Sequence, residues 1–293
     1  MKQYEDKVTA WGIVRPKIRT ILVTGSQARQ DRPADQWSDL DIDIYVTEFD
    51  DYFASGTFAD EFGTVWLKQL HQTNDGDPLF WVLYEGGAKV DFTFFPLEFL
   101  REQVEKQALA ESQQRGYRVL IDKDNLAKFL PPQIFAKPTF EKPTATEFMS
   151  TVNYFWHNAV AVAKQIRRRN MWVVKTTGWQ LTEHLFRMIE WQSQVISRKD
   201  TWYGGNFMRQ WTDDETWRAL HKVFAHFDSV ESWQALFGAM TLFRRIASET
   251  AKYLGFEYPT TMDDTITAYI QKLFDNEQTG DEKNRADFKS QRK

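Results

Sequence analysis

Residues 24–46 read TGSQARQDRPADQWSDLDIDIYV, and this stretch decides which fold the first half of the chain is expected to adopt. Asp39, Asp41 and Asp43 stand at every second position, with apolar residues between them. Because side chains alternate across a β-strand, the three carboxylates are expected to share one face. Carboxylates roughly 6.5 Å apart at an effective dielectric near 20 repel by about 2.5 kcal/mol per pair. The pattern therefore favours a face that binds a cation over one that serves stability alone.

The beginning of the same stretch has the features of a phosphate-binding turn. Gly25 and Ser26 follow a predicted strand over residues 19–24, and glycine lets the backbone approach a ligand closely. The Ser26 hydroxyl can donate a hydrogen bond to a phosphate oxygen, and Arg29, one turn further on, can donate several more. A Gly-Ser pair alone is most often a plain turn. Its significance here comes from the aspartates that follow it.

The aspartates supply the ligand type that a hard divalent cation prefers. Asp39 and Asp41 lie at the start of the predicted strand over residues 39–46. Carboxylate oxygens suit Mg²⁺, which keeps several waters and is completed by substrate phosphates. Asp43 lies deeper in the strand, so we expect it to support the site without binding the metal.

Asp91 is the third candidate ligand. It lies among apolar residues of a predicted strand over residues 89–95, where an unpaired carboxylate is unfavourable. Either it forms a salt bridge with Lys89 or lies at an edge position, or it joins Asp39 and Asp41 at a metal, and we favour the metal. It is then a metal ligand or the general base that takes a proton from an attacking hydroxyl. Three carboxylates, Mg²⁺ and a phosphate-binding turn together describe a site for nucleotidyl transfer.

The composition limits the class of protein further. The chain has 293 residues, enough for two domains, and its lack of cysteine excludes disulfides and thiolate chemistry. The net charge of −4 argues weakly against nucleic acid as a partner. The N-terminus lacks the apolar run of a signal peptide, and no stretch approaches the about 18 apolar residues of a membrane span. We therefore expect a cytoplasmic protein that binds neither nucleic acid nor membranes, as a monomer or small homo-oligomer.

The hydrophobic periodicity changes along the chain. Strand patterns mixed with short helices extend to about residue 121. The segment LPPQIFAKPTFEKPT contains four prolines and suits an extended connector. Helical spacing then predicts helices over residues 145–170, 173–198, 213–225 and 230–254. The predicted fold is α+β, with a mixed-sheet domain over residues 1–135, a helical-bundle domain over residues 136–275 and a polar, disordered tail over residues 276–293.

Further segments narrow the interpretation. The pattern GS…SDLD with a later strand aspartate is joined by VDFTFFPLEF, VLIDKDNL, KPTATEF, NYFWHNAVAVAKQIRR, LTEHLFRMIEWQ, WQALFGAMTLFRRIA and AKYLGFEYP. The pattern resembles the polymerase-beta-like nucleotidyltransferase superfamily. The segments resemble the aminoglycoside 6-adenylyltransferases, which modify streptomycin, and the resemblance extends over nearly the whole chain. The segments of the helical half are more specific than the aspartate motif, which many unrelated enzymes share.

The resemblance implies that AMP is transferred from ATP to a hydroxyl of an aminoglycoside, most simply the 6-hydroxyl of streptomycin, which would confer antibiotic resistance. It implies that Ser26 and Arg29 hold phosphates. It also implies that Asp39 and Asp41 bind Mg²⁺ and that Asp91 is the third carboxylate. The alternatives are the same chemistry on another small alcohol or a protein side chain, and a catalytically silent binding module of the same fold.

The predicted helical domain, which the resemblance makes the substrate-binding domain, offers five further candidates. Lys175 is a candidate for the triphosphate. Glu183 and Glu190 are candidates for pairing with cationic groups of the substrate, and Trp156 and Trp191 for cation–π contacts with them. A purely structural role is the alternative for each of the five.

Overall fold

A computed structural model describes residues 1–30, 32, 34–132, 140, 142–201 and 203–290, with their side chains except at positions 111, 203 and 277–290. The chain divides into two compact units, Met1–Thr139 and Phe140–Lys293. The division falls beside the boundary that the proline-rich connector predicts after residue 135. Much of that connector, residues 133–139 and 141, lies outside the described residues.

The first unit is built on a six-stranded mixed sheet. Its strands are β1 (Ile18–Thr24), β2 (Leu40–Val46), β3 (Val65–Gln72), β4 (Pro78–Tyr84), β5 (Lys89–Pro96) and β6 (Arg118–Asp122). Their spatial order is β3-β4-β5-β2-β1-β6. Strands β2 and β5 run parallel, and the other neighbouring pairs run antiparallel. This arrangement confirms the predicted mixed sheet, and β4 and β5 form an antiparallel hairpin within it.

In the described part of this unit, the α-helices that accompany the sheet are α1 (Lys2–Ile13), α2 (Asp51–Ala54), α3 (Leu97–Lys106) and α4 (Glu111–Gln114). The apolar spacing predicts a single helix over residues 50–62, and this prediction is wrong. Helix α2 ends early because Gly56 takes a left-handed conformation, with φ +68°, and a short 3₁₀ helix (Thr57–Glu61) follows. Glycine adopts this conformation without the steric penalty of a side chain.

The two faces of β2 pack against different cores. Ile42 and Ile44 face an aromatic core that includes Trp11, Phe58 and Phe92. These residues are fully or almost fully buried. The alternation predicted for β2 therefore holds, with its isoleucines on the face opposite the aspartates.

The aspartate face of β2 is covered at one end and open at the other. Tyr45 packs with Leu100 of α3 in a second core. Asp43, next along the face, is 4% exposed, and Asp41 is half-buried. The Asp39 side chain, just before the strand, is 43% exposed. The solvent exposure of the three aspartates therefore increases toward the beginning of β2.

The second unit is helical. It contains α5 (Ala145–Arg167), α6 (Met171–Val195), α7 (Met208–Trp211), α8 (Asp214–Leu220), α9 (Ser229–Leu254) and α10 (Thr260–Ser290). Thr144 caps α5: its hydroxyl accepts a hydrogen bond from Glu147 N at 3.2 Å, and its own N donates to Glu147 Oε2 at 2.8 Å. Gly255, with φ +75°, ends α9 in the left-handed conformation that glycine commonly takes after a helix. The predicted helical domain is confirmed.

The last helix extends into the segment that is predicted to be a tail. Helix α10 continues to Ser290, whereas the sequence predicts disorder from residue 276. Residues 291–293 and the side chains of residues 277–290 lie outside the described part, so the predicted disorder remains a prediction. Within the part that is described, no helix combines the length and the apolar character needed to cross a membrane.

Candidate active site

Three neighbouring strands bring the predicted site residues of the first unit together. Asp41 of β2 and Asp91 of β5 are register partners in the parallel pair. On the other side of β2, Thr24 at the end of β1 pairs with Asp41. Because Gly25 directly follows Thr24, the turn that begins there lies beside the Asp41 carboxylate. A glycine turn and two carboxylates therefore meet at the open end of the aspartate face.

The turn after β1 is packed directly against Asp41. Gly25 has φ +60°, and a Cβ on this residue would lie 2.0 Å from Asp41 Oδ2. The Ser26 hydroxyl donates a long hydrogen bond of 3.4 Å to the Asp39 carbonyl oxygen. Arg29 Nε donates to the Arg32 carbonyl oxygen at 2.8 Å. The structure thus places Gly25 and Ser26 at the carboxylates, and holds the Arg29 guanidinium through its own loop.

Lys89 links two of the three aspartates. Its Nζ donates to Asp39 Oδ2 at 2.8 Å and to Asp91 Oδ2 at 2.9 Å. The salt bridge that the sequence offers as an alternative for Asp91 is therefore present. The other oxygen, Asp91 Oδ1, is buried and has no hydrogen-bond partner in the described structure. A buried carboxylate oxygen without a donor is unfavourable unless a ligand, a proton or a cation completes it.

The carboxylates raise one another's pKa. The pKa of Asp41 is raised to about 6, first by burial and then by the charges of Asp91 and Asp39, against the opposing effect of Lys89. Burial also raises the pKa of Asp91, and its hydrogen bond to Lys89 opposes this. For Lys89 itself, burial lowers the pKa, but the hydrogen bonds to Asp39 and Asp91 outweigh it and raise the pKa. The charges of Lys89 and, more weakly, Arg29 offset only part of the charge of the three carboxylates, so negative charge is in excess.

The chemistry of this donor set fits Mg²⁺. Carboxylate oxygens are its preferred protein ligands, and the unpartnered Asp91 Oδ1 and the excess negative charge both favour a bound cation. In the described ranges, however, no three Asp, Glu, His or Cys side chains are grouped closely enough to hold a metal ion. The Lys89 ammonium instead bridges Asp39 and Asp91. Metal binding by Asp39, Asp41 and Asp91 therefore remains a prediction.

Asp43 lies apart from this opening, inside the unit. Gln113 Nε2 and the Ser112 hydroxyl approach Asp43 Oδ2 at 3.5 Å. Burial raises the pKa of Asp43 to about 7, and Gln113 opposes the shift. Gln113 also donates to the Tyr45 hydroxyl at 2.7 Å, and Gln103 donates to Gln113 Oε1 at 2.8 Å. Asp43 therefore belongs to a buried polar network beneath the site.

Two features of the site are not predicted from the sequence. Lys89 bridges Asp91 to Asp39, a residue on another strand, whereas the two-residue period indicates only that Lys89 and Asp91 share a face. The buried glutamines, Gln103 and Gln113, have no signal in the sequence, because each lies in a polar helical segment that is typical of an exposed surface.

In the second unit, Lys175 and the two tryptophan candidates are held by the helices. Lys175 Nζ donates to the Ala225 carbonyl oxygen at 3.0 Å and to the Ser232 hydroxyl at 3.1 Å, beside an apolar cavity of about 240 Å³. Trp156 is fully buried and donates to the Tyr258 hydroxyl at 3.2 Å, and Trp191 is 8% exposed. The placement of both tryptophans is that of core residues and does not support contact with a substrate.

The two glutamates remain accessible to different degrees. Glu183 is exposed, and Glu190, two turns further along α6, is half-buried. Burial raises the pKa of Glu190, and the charge of Arg187 opposes the shift. The ion pairs of the described residues include none to Glu190. Of the two glutamate candidates, Glu190 is the one whose carboxylate is partly buried, and the charge of Arg187 acts on it without an ion pair in the described part of the chain.

A mixed sheet that carries aspartates on adjacent strands beside a Gly-Ser turn defines the class of nucleotidyltransferases. The sequence profile of a family described as streptomycin adenylyltransferase matches residues 1–273. The chain belongs to this family of nucleotidyltransferases. The resemblance found in the sequence is thereby confirmed.

Similar proteins match over almost their whole length. An aminoglycoside 6-adenylyltransferase from Campylobacter jejuni is 26% identical over 283 residues, covering 92% of this chain and 94% of that protein. A protein of the same name from Bacillus subtilis (strain 168) is 24% identical over 270 residues, covering 88% and 92%. The crystal structure of an aminoglycoside 6-adenyltransferase from Bacillus subtilis aligns with a TM-score of 0.45 and 19% identity, covering 92% of this chain and 98% of that one.

Proposed function

We propose that the protein transfers AMP from ATP to a hydroxyl group of an aminoglycoside, and that the 6-hydroxyl of streptomycin is the acceptor. Family membership over residues 1–273 supports the reaction class. Full-length relatives named aminoglycoside 6-adenylyltransferase support the acceptor. The single structural observation that carries the proposal is the contact between Gly25 and the Asp41 carboxylate, with Asp91 in register beside it.

In this reaction, the acceptor hydroxyl oxygen forms a bond to the α-phosphorus of ATP, and the bond from that phosphorus to the bridging oxygen of pyrophosphate breaks. Gly25 has no Cβ, so the backbone of the turn can approach the phosphates. The Ser26 hydroxyl lies in that turn, and Arg29 follows it in the chain. They would orient the triphosphate for in-line attack.

Asp39 and Asp41 are the residues that would hold Mg²⁺. When bound, Mg²⁺ would neutralise phosphate charge and stabilise the leaving pyrophosphate. Asp91 has a buried oxygen, Oδ1, without a hydrogen-bond partner in the described structure. Its raised pKa brings it closer to the range in which a carboxylate accepts a proton efficiently. We therefore assign Asp91 as the acceptor of the hydroxyl proton.

The charges of the protein are compatible with a polycationic acceptor. The net charge is −4, and Glu190 offers a half-buried carboxylate with no ion pair among the described residues. A cationic group of an aminoglycoside is a partner that would offset the desolvation of that carboxylate. Lys175 already gives two of the three N–H donors of its ammonium group to Ala225 and Ser232, so at most one remains for the triphosphate.

The decisive test is an assay of pyrophosphate release with ATP, Mg²⁺ and a panel of aminoglycosides, with mass spectrometry to locate the added AMP. We expect release that depends on streptomycin and a product modified at the 6-hydroxyl. Asp41→Asn should lose at least about 100-fold in rate, because a metal ligand and its transition-state charge are removed. Asp51→Asn, at an exposed aspartate of α2, is the matched control and should retain full activity.

The possible results separate the alternatives. Turnover of another compound in place of streptomycin would correct the acceptor and leave the chemistry intact. Binding of ATP without turnover of any acceptor would favour a catalytically silent module. An Asp41→Asn rate within about threefold of the wild type would contradict the metal assignment. Expression in a streptomycin-sensitive bacterium should raise the concentration of streptomycin needed to stop growth.

A further inference from the structure

The ammonium group of Lys89 occupies the position at which the acidic cluster most needs positive charge. Its hydrogen bonds to Asp39 Oδ2 and Asp91 Oδ2 measure 2.8 and 2.9 Å. Both ion pairs formed by these two carboxylates, within the part of the chain that is described, are made with Lys89. One ammonium therefore joins residues of two different strands.

The carboxylates are fixed more firmly than the ammonium. Asp41 and Asp91 project from adjacent strands in fixed register, and the Asp91 side chain is only 17% exposed. Lys89 is the first residue of β5, and its side chain is 37% exposed. A lysine ammonium turns on a flexible four-carbon stem. It can leave the cluster by rotation of the side chain while the strands that carry the aspartates stay in place.

A divalent cation and this ammonium compete for the same oxygens. Asp39 and Asp91 each direct one oxygen to Lys89 Nζ. A cation held by those oxygens would lie within a few ångströms of the ammonium. Two positive charges at such a distance repel strongly, even at an effective dielectric near 20. Occupancy by one therefore disfavours occupancy by the other.

We propose that Lys89 is a built-in counter-ion of the acidic site that a divalent cation displaces on binding. Without metal, its ammonium keeps the aspartates from repelling one another. With metal, it is released and becomes a mobile donor at the edge of the site. Lys89 is thus a positioning residue, which sets the affinity for metal through Asp39 and Asp91. The inference rests on the proposed function only in placing a divalent cation at this acidic cluster, with Asp39 as one of its ligands and Asp91 beside it.

The first test compares Mn²⁺ binding by wild type and Lys89→Met, titrated without nucleotide and followed by calorimetry. We expect Lys89→Met to bind Mn²⁺ at least about fivefold more tightly, because the competing charge is gone. Lys89→Arg keeps a positive charge and should remain near the wild type. Lys68→Met is the matched control: Lys68 lies on β3, is paired with Asp60 at 2.8 Å, and should change the affinity by less than about twofold.

The second test uses the unmodified protein and does not depend on a variant that folds. Lysines are acetylated briefly with and without Mg²⁺ at matched ionic strength, and labelling is measured by mass spectrometry. We expect Mg²⁺ to increase the labelling of Lys89 by about threefold or more, because the released ammonium loses its hydrogen bonds to the carboxylates. The labelling of Lys68 should not change.

An equal or weaker Mn²⁺ affinity in Lys89→Met would overturn the proposal. So would the absence of Mn²⁺ binding to the wild type, or unchanged labelling of Lys89 on addition of Mg²⁺. Failure of this inference is distinguishable from failure of the proposed function. If the wild type adenylylates an aminoglycoside but Lys89→Met binds Mn²⁺ with unchanged affinity, the inference alone is rejected. If Lys89→Met binds Mn²⁺ more tightly but the wild type adenylylates no aminoglycoside, the proposed function alone is rejected.

Discussion

The Cα atom of Gly25 lies against the carboxylate of Asp41, so closely that a Cβ on residue 25 would be 2.0 Å from Asp41 Oδ2 and 2.9 Å from its Cγ. Gly25 also has φ +60°, a conformation that side-chain-bearing residues rarely adopt. Steric space and backbone conformation therefore both require glycine. The predicted phosphate-binding turn thus packs against a predicted metal ligand, and a side chain at residue 25 would displace the Asp41 carboxylate.

Gly25→Ala should therefore reduce activity far more than stability. The new methyl group forces the Asp41 carboxylate away, and we expect a rate loss of at least about 100-fold with a stability loss of about 1–3 kcal/mol. Gly255→Ala is the control, because Gly255 has φ +75° but open space around its Cα. Gly255→Ala therefore has a similar steric penalty for a side chain at positive φ, but the enzyme should keep its activity. Equal activity in the two variants would show that the contact is unimportant.

Local periodicity predicts the aspartate face but not its neighbours. The two-residue alternation of β2 correctly places Asp41 and Asp43 on the face opposite Ile42 and Ile44. The pairing of Asp41 with Asp91 depends on β5 returning parallel beside β2. Such a long-range choice of partner strand leaves no mark in a window of ten residues. The sequence predicts that Asp91 lies on a strand and belongs to the site. Only the structure shows that it pairs with Asp41.

Helical periodicity has a similar limit in the second unit. Apolar and aromatic spacing correctly predicts α5 and α6, but it cannot tell which aromatic residues line a pocket. Trp156 is fully buried, and its cation–π partner is Arg244 of the same chain, at 5.5 Å. A tryptophan on a buried helix face and one that faces a ligand have the same spacing. Their environments differ only in the folded structure.

Asp43 should make the protein less stable as the pH rises. Its pKa is about 7 in the folded protein, against the model-peptide value of 3.8. A carboxyl group whose pKa is higher in the folded protein stabilises the fold fully at pH values below its pKa in the unfolded chain. This stabilisation is lost as the pH rises through its pKa in the folded protein. Between pH 5 and pH 8 the loss is on the order of 3 kcal/mol. The asparagine in Asp43→Asn does not titrate. The free energy of unfolding of this variant, relative to that of the wild type, should therefore increase from pH 5 to pH 8.

Urea unfolding of both proteins at pH 5, 6, 7 and 8 would measure this difference, with a chelator present to exclude bound metal. Asp51→Asn, at an exposed position, should give a profile parallel to that of the wild type. Parallel profiles for Asp43→Asn and the wild type would mean that Asp43 remains ionised throughout this range in the folded protein.

Glu190 should affect the acceptor and not the nucleotide. Its half-buried carboxylate has no ion pair among the described residues, and burial raises its pKa. We expect Glu190→Gln to raise the KM for the aminoglycoside by about tenfold, the value of one partly buried charge pair, with kcat and the KM for ATP little changed. Glu257→Gln, at an exposed glutamate of the same unit, is the control. An unchanged KM for the aminoglycoside would remove Glu190 from the substrate site.

Asp263 should be a centre of stability in the helical unit. It is 1% exposed and accepts hydrogen bonds from Arg244 Nε at 2.6 Å, Arg244 Nη2 at 2.5 Å, the Tyr258 hydroxyl at 2.8 Å and the Thr267 hydroxyl at 3.0 Å. Asp263→Asn leaves the Arg244 guanidinium without its counter-charge. Because Arg244 is partly exposed, we expect a loss of about 2–4 kcal/mol in the free energy of unfolding, measured in urea. The exposed neighbour gives the comparison: Asp264→Asn should change the free energy by less than about 0.5 kcal/mol. Equal effects of the two substitutions would mean that the ion pair contributes no more than a surface contact.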